Sequence, residues 1–239
     1  MKGLLVRVAA DQSDGGGNWN APVDTSSCRF AYVPIPESKP NRPSFETPYS
    51  LFGPAIAEFG CSLPAHLMHQ RMHLDPDFEY LTYGDRGSKG RQISGNLGQD
   101  DLLVFYSGLR DAHSRALVYA IIGIFCIDRI LHARTQPRSD WHRNAHTRRE
   151  LAQDADDVIV FAKEAVSGRL VKCIEIGEFR RRAYRVKKPL LDAWGGISAR
   201  DGFLQRSAVF PSLLEPRKFM DWLLTQDVAL VAENNPIRS

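Results

Sequence analysis

Two apolar runs within residues 98–128 constrain this chain more than any other feature. Leu102-Leu103-Val104-Phe105-Tyr106 is short, rich in aromatic and branched residues, and bounded by turn residues, which is the signature of a strand. The polar stretch 107–116 breaks the pattern. A longer run at 117–127 follows, too apolar for a surface helix and carrying Gly123 where a strand can bend. Two consecutive buried strands joined by a polar loop form the spine of a sheet or barrel.

Composition bounds what surrounds that spine. The chain has 239 residues, 43% hydrophobic and 25% charged, the balance of a globular protein with a sizeable core. Its net charge of +3 permits a polyanionic partner without demanding one. No apolar run reaches the roughly 18 residues of a membrane span, and the first residues lack a signal-peptide layout. The four cysteines, Cys28, Cys61, Cys126 and Cys173, are too far apart for a metal-binding pair. A reducing, cytoplasmic location is the economical expectation.

Residues 2–9 are a strand candidate that runs into Asp11 and a glycine cluster. Such a turn brings backbone N–H groups close to a ligand, so Ser13, Gly15, Gly16 and Asn20 are candidate substrate-binding residues. A flexible surface loop is the alternative, and neither the Walker nor the dinucleotide-binding spacing is present. Residues 30–37 alternate and then meet two prolines, predicting an edge strand. Residues 40–64 are an irregular, proline-rich wrap.

Residues 62–73 have the pattern of a short helix with Pro64 in its first turn. That helix would place His66, His69 and His73 on one face, with Asp75 and Asp77 just beyond. Such a face either binds a metal or is solvated, and the strong metal spacings are missing. The sequence therefore identifies no cofactor. Residues 83–92 read as a glycine-rich basic loop in which Arg86 can approach a phosphate.

Two tracts carry most of the positive charge. In residues 129–149, Arg138, Arg143, Arg148 and Arg149 surround Trp141, as in a phosphate track with one stacking platform. In residues 179–188, Arg180, Arg181, Arg182 and Arg185 surround Tyr184. A solvated face is the alternative for both. Strands are expected at 158–162 and 169–176, a closing amphipathic helix at 216–224, and fraying from residue 233. No Ser-His-Asp, kinase or dehydrogenase signature can be assembled.

The central hairpin, with Asp100-Asp101 before its first strand and Gly123 in its second, resembles that of PUA-like barrels such as the ASCH and EVE domains. A longer ordered set resembles the third nucleotide-modification-associated domain family, whose bacterial and phage members accompany DNA base-modification systems. It comprises Asp11, Ser13, Gly15, Gly16 and Pro22; Val33 to Pro36; His73-Leu74-Asp75-Pro76-Asp77-Phe78; the 101–106 strand; and Ser167 to Lys172. The resemblance implies one α+β domain over 1–239, a mixed, mostly antiparallel PUA-like β-barrel decorated with short helices.

The implied role is a component of a DNA base-modification system that acts on a nucleobase, with DNA and other enzymes of the system as partners and no membrane. On that reading Asp11, His73, Asp75 and Asp77 are the candidate catalytic residues, gathered from two loops as acid/base or metal groups. They are expected to be surface groups converging on one pocket, with the carboxylate and histidine pKa values both raised. The alternatives are a non-catalytic reader of a modified base and a scaffold for larger enzymes. A further alternative is hydrolysis of a 7-deazaguanine substituent, nitrile to amide, with Cys28 or Cys61 as nucleophile.

Overall fold

The computed structural model describes residues 1–204 and 207–236. The chain opens with strand β1 (Gly3–Arg7) and then lays down short pieces, β2 (Pro22–Asp24), β3 (Arg29–Phe30) and β4 (Ile35–Pro36). Helices α1 (Gly53–Ala57) and α2 (Ala65–Met68) precede β5 (Met72–His73) and β6 (Thr82–Asp85). Helix α3 (Gly87–Asn96) leads into the long hairpin of β7 (Leu102–Asp111) and β8 (Leu117–His132). Helix α4 (Ala145–Arg148), β9 (Val158–Ala162) and β10 (Gly168–Glu175) follow. The hairpin β11 (Gly177–Arg180) and β12 (Ala183–Val186), helices α5 (Lys188–Trp194) and α6 (Pro216–Leu224), and β13 (Leu230–Val231) complete the order.

The apolar runs are continuous because β1, β7 and β8 are covered on both faces. Leu4, Val6, Leu103, Phe105, Ile122 and Phe125 belong to one core. Leu5, Val104, Tyr106, Ile121 and Ile124 belong to a second, on the other side of the same strands. Helices α5 and α6 seal that second core with Trp194 and Phe219, whose rings meet edge to face at 5.1 Å. Each such side chain contributes about 1.5–3 kcal/mol on burial.

Strand β7 runs parallel to β1 and antiparallel to β8, with a bulge between Phe105 and Tyr106. Strand β8 is long enough to serve two sets of neighbours. Its first part pairs with β7 and β10, and beyond an irregularity at 127–129 it pairs with β9, which in turn carries β6. The sheet is thus mixed and mostly antiparallel, as expected. No ring of paired strands closes among the described residues: the main path ends at β13 and β3, each two residues long. Both parallel partners, β1 and β2, occupy the same edge of β7. No helix among the described residues is long and apolar enough to cross a membrane.

Several local expectations change. The edge strand at 30–37 shrinks to two-residue pieces around prolines. The helix at 62–73 is only α2, because Met72 and His73 leave it to pair with Pro36 and Ile35. Residues 83–92, expected as a loop, instead end β6 and begin α3, which is a regular helix over Gly87–Asn96 despite three glycines. Against the fraying expected from 233, residues 234 and 235 are held in place, and 237–239 lie outside the described residues. Asn234 accepts from the Phe78 N–H at 2.8 Å and donates to Asp77 at 3.0 Å, while Asn235 bonds both backbone groups of Tyr32.

Candidate active site

Strand β6 sits over α4 because Gly84 has no side chain. A Cβ there would lie 2.4 Å from Cδ2 of His146 and 2.9 Å from Oδ1 of Asn144. Asn144 caps α4 by accepting from the His146 N–H at 2.8 Å, and its Nδ2 donates to Asp75 at 3.2 Å and to Thr82 at 3.1 Å. The Gly84 N–H reaches both oxygens of Asp75, at 3.0 and 2.9 Å. One backbone strand and one capping side chain therefore fix Asp75 and His146 against each other.

His73 comes to the same place from β5, its ring 4.9 Å from that of His146. Each imidazole is oriented from behind by a carboxylate: Nδ1 of His73 donates to Glu37 at 2.9 Å, and Nδ1 of His146 donates to Asp157. Glu37 is itself gripped by Arg149, with Nη2 2.7 Å from Oε1. The two Nε2 atoms point toward one oxygen of Asp75, at 3.8 and 3.5 Å.

His73, Asp75, His146 and Arg149 form part of the wall of a cavity of about 310 Å³, at the small end of ligand-pocket volumes, roughly 300–1,000 Å³. Asp11, Tyr83 and Asp85 add acids and a hydroxyl, and Arg7, Arg86, Lys89 and Arg149 add positive charge. Arg7 is paired with Asp11 at 3.1 Å and Arg149 with Glu37. Arg86 is exposed, and no ion pair of its guanidinium occurs among the described residues. The Lys89 ammonium lies 4.7 Å over the Phe210 ring. The cavity thus has a compensated interior and a cationic rim.

Burial sets the protonation states. It pushes the Asp75 carboxyl up to about 6 against the opposing pull of His146 and the Gly84 N–H. Burial also disfavours the His146 cation, yet the Asp157 and Asp75 carboxylates outweigh it and raise that imidazole to about 9. For His73 the expectation of a raised value fails. Burial lowers it to about 3, with the His146 cation adding to the effect and the Glu37 hydrogen bond too weak to reverse it.

The structure brings Asp11, His73, Asp75 and Arg86 to one cavity across a large sequence separation. They are not the surface groups expected: Asp11 is 4% exposed, and His73 and Asp75 are each 7% exposed. Asp77 lies elsewhere. Fully buried, it is held by Arg148 at 2.6 Å and by Asn234. The glycine cluster shapes the wall from behind, since the Ser13 hydroxyl and N–H both donate to Asp11, at 2.5 and 2.9 Å. Gly16 is required there, because a Cβ would fall 1.9 Å from Oδ1 of Asp11, whereas Gly15 faces open space. Asn20 is buried away from the cavity, with Nδ2 donating to the Gly108 carbonyl at 2.7 Å.

The three-histidine helix face does not form. Nε2 of His66 lies 2.8 Å from the Gly17 carbonyl oxygen, and His69 is exposed. The basic tracts are also partly consumed in ion pairs. Arg148 and Arg149 are buried in ion pairs, Arg143 is 3.5 Å from Asp140, and Arg180, Arg181 and Arg185 converge on Asp201. Arg138 and Arg182 are exposed. Trp141 is no free stacking platform, because the Arg42 guanidinium covers it at 3.6 Å. Cys28 and Cys61 are absent from the cavity's lining.

Sequence reasoning missed His146, Asp157, Glu37 and Asn144. His146 stood inside a tract dominated by arginine, and the one available signal was Asn144 two residues before it, an N-cap pattern. A family model described as nucleotide modification associated domain 3 matches residues 2–194. No curated protein and no solved structure is matched by the chain.

Proposed function

Since the chain belongs to the nucleotide modification associated domain 3 family and so has its place in a nucleotide modification system, we propose that the cavity is an active site for a nucleobase carried on DNA. The observation that carries this reading is the pairing of a cationic rim with a buried floor of His73, Asp75 and His146. A floor built from two carboxylate-oriented imidazoles and a carboxylate is more than shape recognition of a base needs. Arg86 and Lys89 take the phosphate, and the cavity is large enough for a single nucleotide unit extruded from the strand. Asp11, held by Arg7 and Ser13, is the wall that presents a fixed acceptor to the base.

The test is mass spectrometry of nucleosides from DNA of cells with the wild-type protein, without it, and with Asp75→Asn. The reading requires a nucleoside present with the wild type and lost in both other cases. Identical nucleoside profiles, with binding to modified DNA intact, would replace an enzyme by a reader. In binding assays, Arg86→Ala with Lys89→Ala should flatten the salt dependence by about one unit for each phosphate that is no longer neutralised.

A further inference from the structure

We propose that His73, Asp75 and His146 bind one divalent transition-metal ion whose remaining coordination positions face the cavity. The proposal deepens the reading above, since it concerns the same cavity. Each of the three residues offers one ligand atom, and these atoms lie within 4.8 Å of one another. A metal with ligands at about 2.1 Å sets neighbouring donors roughly 3.0–3.4 Å apart. The Asp75 oxygen stands 3.5 Å from Nε2 of His146 and 3.8 Å from Nε2 of His73, and with all three donors within 4.8 Å, side-chain movements of at most about 1.4 Å close the set.

The alternative role, mutual hydrogen bonding, fits the geometry less well. At 3.5 and 3.8 Å both contacts exceed the usual N–H···O range of about 2.7–3.2 Å. The orientation of the rings is the second, independent observation. Glu37 and Asp157 are carboxylates, which accept, so each holds its imidazole by Nδ1–H and turns Nε2 toward the common point, where a metal takes the place of the Nε2 proton that the His146 cation carries. A carboxylate behind each ligating histidine is the usual outer layer of a metal site. The other support is equally complete: Asp75 is fixed by the Gly84 N–H and Asn144, and Glu37 by Arg149.

The donor set names the class of ion. Two imidazoles and one carboxylate suit iron(II), cobalt(II), manganese(II) or zinc(II) and do not suit magnesium or calcium, which take all-oxygen sets. Three protein ligands on one side leave the other positions for water or substrate, the layout of catalytic sites in contrast to closed structural ones.

The experiment uses the full-length chain stripped with a chelator and titrated with cobalt(II) alone, read by its visible absorption and by metal analysis. One cobalt(II) per chain is expected, with visible bands that His73→Ala and His146→Ala weaken by at least 100-fold in affinity. Asp157→Asn leaves all three ligands in place, so it tests the site even where a ligand variant does not fold. It should weaken binding by about 10–100-fold, as loss of an outer-layer carboxylate does. Absence of stoichiometric binding, or affinity unchanged in His73→Ala and Asp157→Asn, overturns the proposal. A protein that binds no metal yet still alters nucleosides would sink this inference alone, and one that binds metal but alters none would sink only the enzymatic reading.

Discussion

Replacing Gly84 by alanine should damage the site through a single methyl group. The Cβ would stand 2.4 Å from Cδ2 of His146, while ordinary contact begins near 3.4 Å, so the ring must retreat by about 1 Å. It has nowhere to go, because Asp157 holds Nδ1 and Asn144 holds the backbone N–H of the same residue. Overpacking alone costs about 1–3 kcal/mol, and weakening a hydrogen bond to a charged group adds about 1.5–3 kcal/mol if the ring gives way. A loss of about 3 kcal/mol corresponds to roughly 6–12 °C in a chain of this size. Backbone strain plays no part, since Gly84 is not in the left-handed region. Denaturant and thermal unfolding would measure the loss, and cobalt(II) titration would show whether His146 has left the ligand set. A Gly84→Ala protein within about 0.5 kcal/mol of wild type and with unchanged metal affinity would refute the steric account of how β6 and α4 build the site.

Other perturbations test the parts around it. Asn234→Ala should cost about 1–3 kcal/mol by leaving the buried Phe78 N–H without its partner and removing one of the donors to Asp77, and an unfolding midpoint equal to wild type would show that Asn234 is not structural. Gly16→Ala should lower the melting temperature and disrupt the Asp11 loop, whereas Gly15→Ala, which meets nothing within 4 Å, should be neutral; equal effects of the two would remove the packing argument. Asp111 accepts from Ser114 and Thr25, which hold its carboxyl well below the usual range. Its folded pKa is thus depressed, so the stability it confers is present above about pH 4 and is lost as the pH falls toward the folded value. Stability measured from pH 5 to pH 2 should fall less steeply in Asp111→Asn than in wild type, and parallel curves would contradict the assignment.

What the sequence determined by itself is local. Continuous apolar runs at β7, β8 and β9 can be buried only as strands covered on both faces, and the stripe of Phe219, Trp222 and Leu223 marks α6, whose bounds agree with expectation. Asp11, His73 and Asp75 were legible as candidates because they stand in turns at the ends of regular segments, and Arg86 because it lies in a glycine-rich basic stretch. Whether they met, and with what, depended on contacts between distant segments. Strand β9 carries β6 onto β8, and only that pairing sets Gly84 against His146 and so completes the floor with Asp75. The same long-range contacts decided which charges are spent. Arg148 and Asp77 are 71 positions apart and neutralise each other, so a run of arginines that reads as a phosphate track is in part an internal brace. Charge type is written in the sequence, but whether a charge faces solvent or a partner is a property of the packed chain, where desolvation makes an unpaired buried ion too costly to keep.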